Sequence, residues 1–218
     1  MSGHSTDRSE QEKRGRVATE RDEFQRAIWR VTVATVVELK KLVFVDEMGV
    51  HTSLAPIYGY SPTGERLQLP VPRNRGKNTT LLSSMSCCGM GPSLAVEGAT
   101  TAQVFETYIE KVLAPTLRAG QIVVMDNLSA HKAKRIRELI EGHGCELLYL
   151  PAYSPDFNPI EEAFSKIKGF VRKVGARTKE ALVEALGAAL SAVSPEEVRG
   201  YFEHAGYHTA GQLLSNLL

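Results

Sequence analysis

Gln121-Ile122-Val123-Val124-Met125-Asp126 and Leu42-Val43-Phe44-Val45-Asp46-Glu47 are built alike: a short apolar, β-favouring run stops at a carboxylate. Each run is predicted as a buried strand, because a short unbroken apolar stretch suits a strand covered on both faces. In an open α/β sheet the functional crevice lies beyond the carboxyl ends of the strands. Asp46 and Asp126 are therefore predicted to face that crevice.

The neighbouring segments supply the rest of a sheet. Thr79 to Cys87 and Ser93 to Val96 read as two strands joined by a Gly89–Gly91 turn, giving an antiparallel meander with the Asp46 strand. Thr101 to Leu113 reads as a helix with Val104, Tyr108 and Val112 on one face. Lys132 to Glu141 reads as another, closed by Gly142 or Gly144. Glu146 to Leu150 is a further strand, and Pro151 to Pro159 a proline-rich loop. Helices follow from Pro159 to Val174, over 179–193, and after Ser194-Pro195, a helix-start pair. Strands first, then alternating helix and strand, predict an α/β fold: a mixed sheet flanked by helices on both faces.

Upstream, residues 1 to about 20 are polar, charged and without periodicity, and are predicted to be a flexible tail. Glu20 to Leu39 reads as a helix that packs through Phe24, Ile28, Val31 and Ala34. The predicted division is a tail and linker helix over 1–40 and one domain over 41–215.

Composition excludes several classes. No apolar stretch is long enough to span a membrane, and the polar N-terminus is no secretory signal. Three cysteines without a Cys-x-x-Cys pair argue against a disulfide framework and a zinc site, and favour a reducing, cytoplasmic setting. A net charge of +1 is too small for a protein that coats nucleic acid, so any such partner must be met by local patches.

A third acid completes a pattern. Glu161 opens the helix after the proline-rich loop, with Glu162 next to it. Adjacent helical residues point about 100° apart, so only one of them can face the crevice. Three converging carboxylates repel unless a cation intervenes, and hard divalent ions take oxygen ligands. Two such ions can activate an attacking oxygen and stabilise a leaving one in phosphoryl transfer. Singly, each acid also has a plain structural role: an Asp ending a strand caps turns, and a Glu in a first helical turn meets the helix dipole.

Together, Val43-Phe44-Val45-Asp46-Glu47, Val123-Val124-Met125-Asp126-Asn127-Leu128-Ser129-Ala130-His131 and Leu148-Tyr149-Leu150-Pro151-Ala152-Tyr153-Ser154-Pro155-Asp156-Phe157-Asn158-Pro159-Ile160-Glu161 resemble the catalytic half of bacterial insertion-sequence transposases of the mariner superfamily, six-thirty group. The likeness runs from about Phe24 to Tyr207, and the 34 residues between Asp126 and Glu161 match its spacing. Met48 departs from the threonine usual there. The resemblance implies a ribonuclease-H-like catalytic domain over 41–215. Asp46, Asp126 and Glu161 become its catalytic, metal-binding triad, loaded with two Mg²⁺ or Mn²⁺ ions. It implies cut-and-paste DNA transposition at the bacterial nucleoid: strand cleavage, then attack of the freed 3′-hydroxyl on target DNA. Asn127 and Asn158 are expected to support the ligands from behind.

Basic residues mark the expected DNA contacts: Arg73, Arg75 and Lys77 in one loop, His131 and Lys132 after the Asp126 strand, and Lys166, Lys168, Arg172 and Lys173 beyond Glu161. The stretch Ala163 to Lys179 carries six Lys or Arg and no acid, a strip suited to phosphates. The resemblance also implies a homodimer or larger assembly. The residues before Leu42 are too few for the family's paired helix-turn-helix modules, so a separate N-terminal polypeptide is a possible partner. The rival expectations are another ribonuclease-H-like nuclease, or a catalytically silent, partner-dependent DNA-binding protein.

Overall fold

A computed structural model describes residues 21–36, 38–56, 58, 60–66, 68, 70–71, 77–127 and 134–208. Its centre is a five-stranded sheet in the order β3-β2-β1-β4-β5, made of β1 (Leu42–Val50), β2 (Thr79–Ser86), β3 (Gly89–Glu97), β4 (Ile122–Met125) and β5 (Glu146–Tyr149). The β1–β2 and β2–β3 pairs are antiparallel, and β4 lies parallel to both β1 and β5. The two runs that end in acids are thus side by side at the middle of the sheet. The predicted mixed sheet is present.

Helices cover both faces. Alternation along β1 sends Leu42, Phe44, Met48 and Val50 to one side and Val43 and Val45 to the other. The first layer packs against α4 (Ile160–Val174), α5 (Lys179–Ser191) and α6 (Pro195–His204). The second packs against α2 (Ala102–Tyr108) with its continuation Ile109–Leu113, and against α3 (Lys134–Glu141). A capping box at Ser194 and Glu197 starts α6, and Gly175, at φ +65°, ends α4 in the left-handed conformation that glycine adopts without strain.

Several expectations are corrected. Strand β1 does not stop at Asp46 and Glu47: β2 pairs with it through Val50, whose burial with Met48 favours continuing the strand. The hairpin turns at Cys87-Cys88 rather than Gly89–Gly91, since Ser86 already pairs with Gly89. After α2 the chain widens into one π-turn, which moves the buried face to Phe105, Tyr108, Ile109 and Leu113.

The largest correction concerns α1 (Glu23–Val36), whose first N–H groups at Phe24 and Gln25 are capped by Asp22. Its expected packing stripe faces outward: Phe24, Ile28 and Val31 are 75%, 49% and 64% exposed. The helix instead buries Arg26, at 0% exposure, with Val33 and part of Trp29. Pairing of Arg26 with an acid far along the chain decided the face. The expected tail lies outside the described residues. No described helix is long and apolar enough to cross a membrane.

Candidate active site

Asp46 shares the face of β1 with Phe44 and Met48, and is 7% exposed. Its Oδ1 accepts the Glu47 N–H at 2.7 Å, and its Oδ2 accepts the Asn158 side-chain amide at 2.8 Å. Strand register carries Asp126 to the same level. Val45 pairs with Met125, so the next residue on each strand is an aspartate, and neighbouring strands run about 4.8 Å apart. Both point to the α4 side of the sheet by the same parity.

Glu161 is the second residue of α4, and its N–H is held by the Asn158 carbonyl at 3.1 Å. Pro159 precedes the helix with φ −63° and ψ −22°, already helical, so the chain enters the helix without adjustment. Asp46, Asp126 and Glu161 line one cleft of about 370 Å³ together with Asn127, Tyr153, Ser154 and Asn158. Tyr153 stands at the cleft with φ +54°, the left-handed region that a bulky residue enters only with strain. The Asn158 Oδ1 is buried with no hydrogen-bond partner, a polar atom left over beside the carboxylates.

Among the described residues, no three His, Cys, Asp or Glu side chains form a ready-made metal-binding group. Glu161 is exposed at the start of its helix, on the same cleft as the two aspartates. The donor set suits a hard cation: carboxylate oxygens in one cleft, and a spare amide oxygen behind them.

The neighbouring acids are placed elsewhere. Glu47 lies outside the cleft lining, and Glu162 accepts His204 at 2.5 Å on the α6 side. The basic run on α4 divides by helical phase. Lys168 and Arg172 fall seven and eleven positions after Glu161, within about 20° of its direction. Lys166 and Lys173 are turned away by about 120–140°. Lys166, expected at DNA, grips both carboxylate oxygens of Glu197 at 2.6 and 2.5 Å and the Ala192 carbonyl at 2.7 Å. That ion pair holds the Glu197 carboxyl down at about 2. Lys77, expected at DNA too, joins Lys179 on Glu97. Lys166 is thereby tied within the fold, whereas Lys77 stays 78% exposed beside Glu97. Arg73, Arg75, His131 and Lys132 lie outside the described residues.

The sequence matches the DDE superfamily endonuclease family over residues 41–183. The chain belongs to that family. Among curated relatives of this DDE endonuclease are the Tcb1 and Tcb2 transposable-element transposases of Caenorhabditis briggsae. The first is 29% identical over 136 residues, covering 57% of this chain and 50% of the relative. The second is 29% identical over 113 residues, covering 50% and 41%. The chain spans about half the length of the curated relatives it matches. Its fold is that of the Mos1 transposase: the paired-end complex with the left transposon end superimposes with a TM-score of 0.72 at 20% identity, over 91% of this chain and 64% of that one. The isolated Mos1 catalytic domain gives 0.60 at 18% identity, over 84% and 86%. The ribonuclease-H-like architecture is therefore present.

Sequence reading missed Arg26 and Tyr153. A lone arginine in a helical window carries no sign of a partner on the Pro151–Pro159 loop, and the backbone angle of Tyr153 has no sequence signal.

Proposed function

We propose that this DDE endonuclease is the catalytic part of a DNA transposase of the six-thirty group, cleaving DNA strands and joining a freed 3′-hydroxyl to target DNA. The observation that carries the reading is the level placement of Asp46 and Asp126 on adjacent parallel strands, with Glu161 on the same cleft. Tyr153-Ser154-Pro155 and Asn158-Pro159-Ile160-Glu161, intact in sequence, support the finer assignment. So do the names of the relatives, and the solution of Mos1 complexes with Mg and Mn.

Asp46, Asp126 and Glu161 would hold two divalent ions, with Asn158 fixing the Asp46 carboxylate. Such ions supply charge neutralisation at the attacking and departing oxygens of an in-line displacement. The protein's part is positioning. Asp46 is set by its strand and two hydrogen bonds, Asp126 by register, and Glu161 by a preset helix start. Lys168 and Arg172 continue the line of Glu161 along α4, roughly 10 and 16 Å further at about 1.5 Å per residue, and so offer a track for the phosphate backbone. Recognition of element ends would come from helix-turn-helix modules elsewhere, in a dimer or larger assembly on DNA.

The test is joining of a precut, labelled DNA end into plasmid with Mg²⁺ or Mn²⁺, for the wild type and Asp126→Asn. Metal-dependent joining that vanishes in the variant is expected. Cleavage without joining would favour another nuclease of this fold. Neither activity nor metal binding in the folded chain would overturn the catalytic reading in favour of a silent DNA-binding protein.

A further inference from the structure

The hydrogen bond from Asn158 to Asp46 is only as well placed as the turn that carries Asn158. That turn is a single 3₁₀ turn, Pro155–Phe157, closed by the Phe157 N–H on the Ser154 carbonyl at 3.1 Å and the Asn158 N–H on the Pro155 carbonyl at 2.9 Å. It follows the left-handed Tyr153, and one 3₁₀ turn has little stiffness of its own.

Three handles grip it from outside. The Arg26 guanidinium donates Nη1 to Asp156 Oδ1 at 2.9 Å and Nη2 to Asp156 Oδ2 at 2.5 Å, a two-pronged pair that fixes orientation as well as distance. The Phe157 ring lies under two guanidinium groups, Arg26 at 4.2 Å and Arg30 at 5.0 Å. The Phe157 carbonyl accepts the Tyr207 hydroxyl at 2.6 Å, and that hydroxyl in turn accepts the Trp29 indole N–H at 3.2 Å. The handles come from α1 and from the segment after α6, at opposite ends of the described chain, and they meet on the residues just before Asn158.

Burying a whole guanidinium is an expensive way to attach a helix, since apolar side chains of similar volume hold as well. What the pair adds is direction. A carboxylate flanked by others of like charge turns away from them unless donors hold it; the Glu47 N–H holds the Asp46 Oδ1, and Asn158 is the side-chain donor on its Oδ2.

We propose that Arg26 and Tyr207 are positioning residues for Asp46, acting through the Asp156-Phe157-Asn158 turn. The inference rests on the metal-site reading above for its consequence in metal affinity, and on the hydrogen bonds alone for its geometry. Docking of α1 thereby becomes a condition for a correctly held Asp46, because a rigid hydrogen-bonded path joins the two.

The experiment uses the full chain. Mn²⁺ affinity is measured by calorimetry for the wild type, Arg26→Gln, Tyr207→Phe, Asn158→Ala and the doubles of the first two with Asn158→Ala, with thermal unfolding alongside. Loss of an outer support weakens metal binding roughly 10-fold or more. Arg26→Gln and Tyr207→Phe are expected to do so alone and to add nothing once Asn158 is gone, the mark of a shared path. Tyr207→Phe keeps the ring and removes only the hydroxyl, so it serves where Arg26→Gln fails to fold. Wild-type affinity in the single variants, or losses that multiply in the doubles, would overturn the proposal. The Asn158 side-chain amide resonance, identified by its loss in Asn158→Ala, gives a second readout that needs no metal. Its shift or averaging in Arg26→Gln or Tyr207→Phe is expected, and an unchanged resonance refutes the path. Absence of Mn²⁺ binding in the wild type would instead sink the metal-site reading, leaving the resonance to decide the positioning claim.

Discussion

Asn158 donates its side-chain amide to Asp46 at 2.8 Å across 112 positions of sequence, joining the loop before α4 to the central strand of the sheet. Both side chains are buried, and the other Asp46 oxygen already holds the Glu47 N–H. Replacement Asn158→Asp sets a second carboxylate against the first in the same volume. Uncompensated buried charge costs roughly 3 kcal/mol or more. Chemical denaturation at pH 7 should show a loss of that order, and Asn158→Ala a smaller one. Equal losses would mean that the Asp46 charge is not felt at Asn158.

Arg26 holds the Asp156 carboxyl below the usual carboxylate range, chiefly through their hydrogen bonds. A depressed folded-state pKa means stability that is fully present above the unfolded value of about 3.9 and fades as pH falls through the folded value. Asp156→Asn should cost about 1.5 kcal/mol near neutral pH, less than a fully buried pair because Asp156 is half exposed. The gap between wild type and variant should narrow below pH about 4. Thermal unfolding from pH 2 to 7 checks it, and a gap independent of pH would contradict the ion pair.

Lys168 and Arg172 share the direction of Glu161, whereas Lys166 is tied to Glu197 and Ala192. If phosphates run along α4, Lys168→Ala with Arg172→Ala should flatten the salt dependence of DNA affinity, by about 0.9 in the log–log slope for each phosphate no longer neutralised. Lys166→Ala should leave that slope unchanged and lower the melting temperature. The same comparison at low pH should show the Lys166 contribution declining as pH falls from about 4.5, where the unfolded chain's Glu197 takes up its proton, toward 2, where the folded one does. A slope that drops for Lys166→Ala alone would move the DNA track to the other side of the helix.

Tyr153 keeps an exposed ring at the cleft in a left-handed conformation, which costs a non-glycine residue roughly 1–2 kcal/mol. Asparagine tolerates that region better. Tyr153→Asn should therefore leave stability unchanged to within about 0.5 kcal/mol, or raise it, while strand joining falls. A variant as active as the wild type would show that the strained ring has no part at the cleft.

Local order in the sequence determined much of this protein. An apolar run reaching an aspartate reads as a buried strand with an acid toward its functional end, and alternation along the strand fixes the face on which that acid lies. Glu161 was legible because a proline-rich loop and a helix start surround it. The phase of Lys168 and Arg172 on α4 was also available from spacing. All of these depend on neighbours within a few residues.

Only the tertiary structure decided which residues those elements meet. Phe24, Ile28 and Val31 have the spacing of a buried stripe, yet α1 turns its Arg26 side inward because Asp156, 130 positions away, supplies the matching charge. Lys166 and Lys77 look like free cations in sequence, and folding brings Glu197 and Glu97 to them. Periodicity reports which face of a helix is apolar. Which face is buried depends on the free energy of packing against a particular surface, and a long-range charge pair and the contact of two guanidinium groups with the Phe157 ring outweighed three apolar side chains here.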